Sequence, residues 1–222
     1  MALKPTIYKF RISLTDINRD HYDSLNLTIA QHPSENNERM IARILAFCLN
    51  ATPELMFTKG LSSIEEPDIW LKSLDDQIQL WLEVGEPDAD RVKKATRLAK
   101  QVKIYSFNTK SNVWWEQNKG KFGYLNVDVI RFEAESIEKL ASTLTRGMEL
   151  SVMISGSSIF VDGENGSHEI VWQELQIKSA WWRLLTLIIC DIKALSSLEH
   201  YGDLQVSVRA KNFIVNTRFI NT

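Results

Sequence analysis

The sequence predicts an α/β (α+β) protein with a mixed central β-sheet flanked by helices, followed by an added C-terminal tail. Three observations carry this. Apolar and polar residues alternate near both ends of the first 174 residues. Two stretches with helical apolar spacing lie between them. A turn-rich run closes the segment, with Asp162-Gly163 and Asn165-Gly166 as its turn signals.

The elements follow in chain order. Tyr8, Phe10, Ile12 and Leu14 alternate with Lys9, Arg11 and Ser13, which is a half-buried strand over 6–14. Leu25, Leu27 and Ile29 repeat the pattern, and the polar stretch 16–23 turns the chain into a hairpin. Pro33 ends the second strand and Ser34 is an N-cap residue type. Met40, Ile41, Ile44, Leu45 and Cys48 then recur at helical spacing, so 35–49 is predicted as a helix. Short strands are expected at 55–58 and 67–71. A third is expected from Ile78 up to Gly85. Asp88 caps a second helix whose buried side is Val92, Ala95, Leu98, Ala99 and Val102. A strand at 103–107, a short helix at 112–118, a strand at 125–132 and a helix at 135–144 come next. A meander at 148–154, 158–161 and 168–172 closes the body. The tail is predicted as a helix over 180–198 and strands at 204–208 and 213–215.

Composition bounds the function. The 222 residues hold 26 Lys+Arg and 28 Asp+Glu, a net charge of -2, which excludes a chain that coats nucleic acid by bulk charge. The charge is uneven. Residues 1–174 carry 20 basic and 25 acidic side chains, residues 175–222 carry 6 and 3. The predicted domains are therefore 1–174 and 175–222. Two cysteines, Cys48 and Cys190, make neither a disulfide framework nor a thiolate zinc site. No apolar run approaches the ~20 residues of a membrane span. A soluble, cytoplasmic protein is expected.

No phosphate loop, dinucleotide fingerprint or nucleophile elbow is present, and the four histidines lack metal-ligand spacing. The informative stretch is 65–94. Pro67-Asp68 opens one strand and Glu83 ends the next. Neighbouring strands lie about 4.8 Å apart, so carboxylates at matched ends can share a divalent cation. Such a cation polarises a phosphate and activates water. Glu35 or Glu38 on the preceding helix can assist. On the second helix Lys94 flanks the buried side and can lean toward the sheet, while Lys93 points roughly 160° from its centre, into solvent. The same carboxylates also fit an ordinary surface.

Several segments, in order, resemble a known family. They are the opening Met1-Ala2-Leu3-Lys4-Pro5-Thr6-Ile7-Tyr8-Lys9, His32-Pro33-Ser34-Glu35, Glu38-Arg39-Met40 and Phe57-Thr58-Lys59-Gly60-Leu61. Further on come Glu66-Pro67, the run Leu80-Trp81-Leu82-Glu83-Val84-Gly85-Glu86-Pro87-Asp88, Arg91-Val92-Lys93-Lys94-Ala95 and Trp114-Trp115-Glu116-Gln117-Asn118. Together they are similar to the YaeQ family of bacterial proteins over roughly 1–174. The resemblance implies a restriction-endonuclease-like fold, a variant of the PD-(D/E)XK nuclease superfamily. On that pattern Asp68 and Glu83 are the acidic positions that hold Mg²⁺ or Mn²⁺, and Glu35 or Glu38 is the helix glutamate. The usual lysine two residues after the glutamate is Gly85 here, so its role passes to Lys94 or Lys93. The implied function is a metal-dependent phosphodiesterase acting on nucleic acid. The alternative is a catalytically silent module that binds nucleic acid or a transcription-related protein. The resemblance stops near Trp172. The tail, with Trp181 and Trp182, is either a docking helix or an extension without selected function.

Overall fold

The computed structural model describes residues 4–59, 65–178, 205–210 and 213–218. The chain forms two compact units, Met1–Ser179 and Ala180–Thr222. In the first, β1 (Thr6–Asp16) and β2 (His21–Gln31) pair antiparallel as the expected hairpin, each strand longer than its alternating core. The helix α1 (Asn37–Leu49) begins two residues later than the sequence predicts. Asn36 is its cap, accepting the Arg39 N–H at 3.0 Å, while Ser34 bonds the His32 ring.

β3 (Leu55–Phe57), β4 (Ile69–Lys72) and β5 (Ile78–Val84) form an antiparallel run. In α2 (Ala89–Leu98), Asp88 is the cap, as predicted; its carboxylate accepts the Arg91 N–H at 2.8 Å. The helix ends at Leu98. Ala99 and Val102, which the spacing assigns to the helix, belong to β6 (Ala99–Ser106). Both still pack in the core that α2 covers: Val102 from within the strand, and Ala99 at the point where the helix passes into it. Then follow α3 (Ser111–Phe122), β7 (Val127–Phe132), α4 (Ala134–Ser142), β8 (Gly147–Ser155), β9 (Ser158–Gly163) and β10 (Gly166–Gln176). The two predicted turn signals, Asp162-Gly163 and Asn165-Gly166, flank a single turn between β9 and β10, and the β8–β9 turn carries a glycine that the sequence reading did not single out. Gly156 (φ 57°) opens the β8–β9 turn and Gly166 (φ 116°) closes the β9–β10 turn.

All ten strands join one mixed sheet, in the order β2-β1-β8-β9-β10-β7-β6-β5-β4-β3. Three parallel pairings anchor it: β5 with β6, β6 with β7, and β8 beside β1. The meander β8–β9–β10 bridges the two halves by pairing β10 with β7. One face is covered by α1 and α4, through residues such as Ile44, Leu45, Ile137 and Leu140. The other is covered by α2 and α3, through Val92, Ala95 and Phe122. Trp114 and Trp115 are half-buried in this second core, and the Trp114 indole donates to the Pro87 carbonyl at 3.0 Å. Packing, not an exposed stacking platform, accounts for that pair.

This topology positions the site. The carboxyl ends of β5, β6 and β7 lie along one edge of the sheet, and α2, α3 and α4 start from that edge. In open α/β sheets such an edge is where ligands bind.

The opposite end of α1 is closed by a distant residue. Arg19, from the β1–β2 turn, donates to the Ala51 and Cys48 carbonyls at 3.1 and 3.2 Å and to the buried Asp16 carboxylate at 2.5 Å. It supplies the cation that the last turn of α1 lacks. Cys48 is fully buried, and burial pushes its thiol up to about 12. In the second unit, β11 (Gln205–Ala210) and β12 (Phe213–Arg218) form an antiparallel hairpin near the two predicted tail strands. The helix predicted over 180–198 lies outside the described residues.

Replacing Arg19 with Ala removes both the helix closure and the Asp16 partner. Denaturant unfolding should show a loss of about 1–3 kcal/mol, with an unchanged m-value.

Candidate functional site

Asp68 sits one residue before β4 and completes the β4–β5 ladder with its side chain. Its backbone N–H donates to the Leu82 carbonyl at 3.0 Å, and its carbonyl accepts the Thr58 N–H at 3.0 Å. The Val84 N–H, which a strand carbonyl would ordinarily accept, donates to Asp68 Oδ2 at 2.8 Å. The ladder shifts here, because Asp68 bonds Leu82 and Val84 and not Glu83. Both acids stand where β4 begins and β5 ends, but their side chains turn to opposite faces of the sheet, which matched strand ends do not predict.

What the spacing misses is their partners. Glu35, Arg39 and Arg43 recur every four residues, so they stack on one side of the start of α1. Arg39 donates to Glu35 Oε1 at 2.9 Å and to Asp68 Oδ1 at 2.6 Å. Arg43 lies deeper and donates to both Glu35 oxygens, at 3.0 and 2.9 Å; its Nε stands 3.8 Å from Asp68 Oδ1 without a hydrogen bond. Burial works against the Arg39 charge, but Asp68 and Glu35 outweigh it and hold the guanidinium above its ordinary value.

Glu83 points to the other face of the sheet, where Trp81, two residues earlier, also points. The Trp81 indole N–H donates to Glu83 Oε1 at 2.7 Å and the Arg91 Nε donates to the same atom at 2.9 Å. Arg91 also donates to the Glu66 carbonyl at 2.8 Å. Burial pushes the Glu83 carboxyl up to about 7; the Asp68 charge adds to the shift, and Arg91 and Trp81 oppose it.

The predicted lysine lies elsewhere. Lys94 pairs with Glu65 on the surface, and Lys93 faces solvent. Because the loop after β5 is short, α2 starts at the carboxyl edge and runs away from it. A residue one turn later is about 5 Å further off. The first-turn Arg91 therefore meets Glu83, and Lys94 does not. Gly85 has φ 119°, a backbone that a lysine there would adopt only under strain. Glu38 lies half-buried in the first turn of α1 and takes no part in the cluster.

A second acid, not singled out by the sequence reading, organises the adjacent loop. The Glu86 carboxylate accepts the Asn108 N–H at 3.2 Å and the Ser111 hydroxyl at 2.7 Å, and it also accepts the Asn108 amide. It ties the β5–α2 loop to the start of α3.

A hard cation needs carboxylate oxygens to itself. Both Asp68 oxygens and Glu83 Oε1 already hold donors, and the three carboxylates face three guanidinium groups. As paired, these residues do not fit a cation, which would have to displace Arg39 and Arg91. Among the described residues no group of three or more His, Cys, Asp or Glu is arranged to hold a metal. The order of charges from solvent inward is also unlike a metal site. The carboxylate side chains are 1% (Glu35), 2% (Asp68) and 7% (Glu83) exposed, whereas Arg39 and Arg91 are 15% and 27% exposed. No helix among the described residues is long and apolar enough to cross a membrane.

Two outcomes follow from this packing. Arg43→Met leaves Glu35 and Asp68 buried without their deepest counter-ion, and should cost about 3–5 kcal/mol in denaturant unfolding. The second concerns pH. The folded Glu83 pKa lies above its unfolded value of about 4.3, so the folded state holds the proton more tightly. That stabilisation is full below the unfolded pKa and is lost as pH rises through about 7. The melting temperature should fall between about pH 5 and about pH 8 more steeply in wild type than in Glu83→Gln, which keeps the oxygen acceptor and removes the titration. Parallel curves would mean that Glu83 does not titrate in this window.

Comparison with known proteins places the chain. A family model described as YaeQ protein matches residues 1–172. The uncharacterized protein YaeQ of Escherichia coli K12 is 36% identical over 179 residues, covering 78% of this chain and 99% of that protein. The crystal structure of YaeQ protein from Pseudomonas syringae superposes with a TM-score of 0.75 at 38% identity, over 78% of this chain and 96% of the other. That of YaeQ protein from Xanthomonas axonopodis pv. citri gives 0.76 at 31% identity, over 78% and 99%. The two arginine-bridged carboxylate clusters at the carboxyl edge of β5 lie wholly inside the matched region, and the chain belongs to the YaeQ family.

Proposed function

We propose that this chain is a nucleic-acid-binding module built on a nuclease-like fold, and that Arg39 and Arg91 receive the phosphodiester backbone. One observation carries the reading: from solvent inward the site presents guanidinium first and carboxylate second. An approaching polyanion meets charge-assisted donors. The buried acids hold those donors in place instead of a metal. Lys93, exposed on the same helix as Arg91, adds positive charge to this side of the molecule, whereas Lys94 is matched by Glu65. The body carries more acidic than basic side chains, so binding rests on these few groups and not on a basic surface. A polyanion suits this charge order better than a protein of the transcription machinery.

Binding is measured by fluorescence anisotropy with labelled single- and double-stranded oligonucleotides in EDTA. Two phosphate contacts predict a shallow salt dependence, with log K against log salt falling by about 1.4–1.8. Arg91→Ala and Arg39→Ala should each weaken binding and flatten that slope by nearly one unit. Binding that ignores both substitutions, or no binding at low salt, would sink the proposal.

One observation favours hydrolysis as a second reading. Asp68 and Glu83 both stand at the carboxyl edge of β5, at the two acidic positions that the PD-(D/E)XK resemblance assigns. Incubating the same oligonucleotides with Mg²⁺ or Mn²⁺ separates the two. Cleavage lost in Glu83→Ala supports a phosphodiesterase, and cleavage shared equally by that variant points to a contaminant.

A further inference from the structure

Farther along the same edge a cavity of about 520 Å³ opens where β6 and β7 end. That volume lies within the range of small-molecule sites. One wall is the loop and first turn of α3, with Asn108, Thr109 and Asn112; the other is the ends of β7 and β10, with Phe132 and Trp172. Phe132 and Trp172 are direct cross-strand partners, so their side chains leave the same face of the sheet. Phe132 is buried and also stacks on Tyr105, which fixes the floor. The loop wall is fixed as well, because Glu86 holds Asn108 and Ser111 through backbone and side-chain hydrogen bonds.

Three of the lining polar groups are uncommitted. The Trp172 indole N–H, the Asn112 amide and the Thr109 hydroxyl make no hydrogen bond to other described residues. Formal charge at the rim is balanced, one Arg131 against one Glu133. An anion gains little there. A flat, neutral group with an aromatic face and a hydrogen-bonding edge gains both stacking and hydrogen bonds. That combination describes a nucleobase.

We infer that this cavity is a nucleobase pocket. It takes the base of an unpaired nucleotide whose strand lies along the edge toward Arg91. Neighbouring strands are about 4.8 Å apart, so the crevice between β6 and β7 lies roughly 5–10 Å from the end of β5. The inference deepens the nucleic-acid reading and rests on it for the position of the backbone. The base site itself stands on the cavity alone.

Isothermal titration of the full chain with nucleoside 5′-monophosphates, and with one sequence as single strand and as duplex, tests it. Saturable one-to-one nucleotide binding is expected, together with a preference for the single strand. Asn112→Ala and Trp172→Leu should each weaken nucleotide binding about ten-fold, the loss expected for one stacked or edge-bonded base. Asn112 is exposed, so its substitution leaves folding intact; thermal melting checks the Trp172 variant. No nucleotide binding at about ten millimolar, or unchanged affinity in both variants, overturns the pocket. Nucleotide binding that both variants weaken, with no oligonucleotide binding by wild type, supports a pocket for free nucleotides and defeats the nucleic-acid reading instead. Oligonucleotide binding that depends on Arg91 but not on Asn112 or Trp172 does the reverse.

Discussion

Three carboxylates buried at one edge of a sheet require three cations to answer them, and this requirement organises the molecule. Asp68 precedes a strand, Glu35 precedes a helix and Glu83 lies on the far face. Arg39 and Arg43 neutralise the first two from α1, and Arg91 neutralises the third from α2. An unpaired buried carboxylate would cost several kcal/mol, so the helices are held as firmly by charge as by their apolar sides. The ion pairs thereby tie both helical layers to the sheet at the point where β4 and β5 end.

Much of this was legible from residue spacing, and the misses have physical causes. The hairpin, the meander, the Asp88 cap and the placement of Asp68 and Glu83 near strand ends follow from period-two alternation, glycine turns and the Pro67 and Gly85 breaks. Helix starts were less secure. Ser34 and Asn36 are equally good cap types, and only the position of the Arg39 N–H decides between them. Val102 satisfied a helical pattern and a strand pattern at once. The arginines were visible as a four-residue repeat from Glu35 through Arg39 to Arg43. The same buried acids that could bind a metal can equally anchor cations, and spacing does not separate the two roles. The preference for Lys94 over Lys93 rests on angular position around α2; axial position, which favours Arg91, is not part of it. A helix leaving a sheet edge presents only its first turn to that edge.

Glycine and glutamate in the β5–α2 loop divide the edge into two chemical regions. At Gly85 the backbone turns out of the sheet, and its N–H bonds the Tyr105 carbonyl of the neighbouring strand at 2.9 Å. On one side of this turn lies the arginine-fronted acidic cluster. On the other, Glu86 freezes the loop that walls the cavity. A single short loop therefore sets the spacing between a charged surface and an aromatic one.

The parallel pairing of β1 with β8 has a consequence for how the chain is made. Arg11 and Glu149, bonded side by side, are 138 residues apart in sequence. At typical synthesis rates of 5–20 residues per second, the N-terminal hairpin waits roughly 7–28 s for its neighbour to emerge. Through that interval the edge of β1 stays open, and the apolar side of the hairpin has only α1 to shelter it. The order of synthesis therefore leaves the β1 edge, which the finished sheet covers with β8, without its partner strand until the meander has emerged.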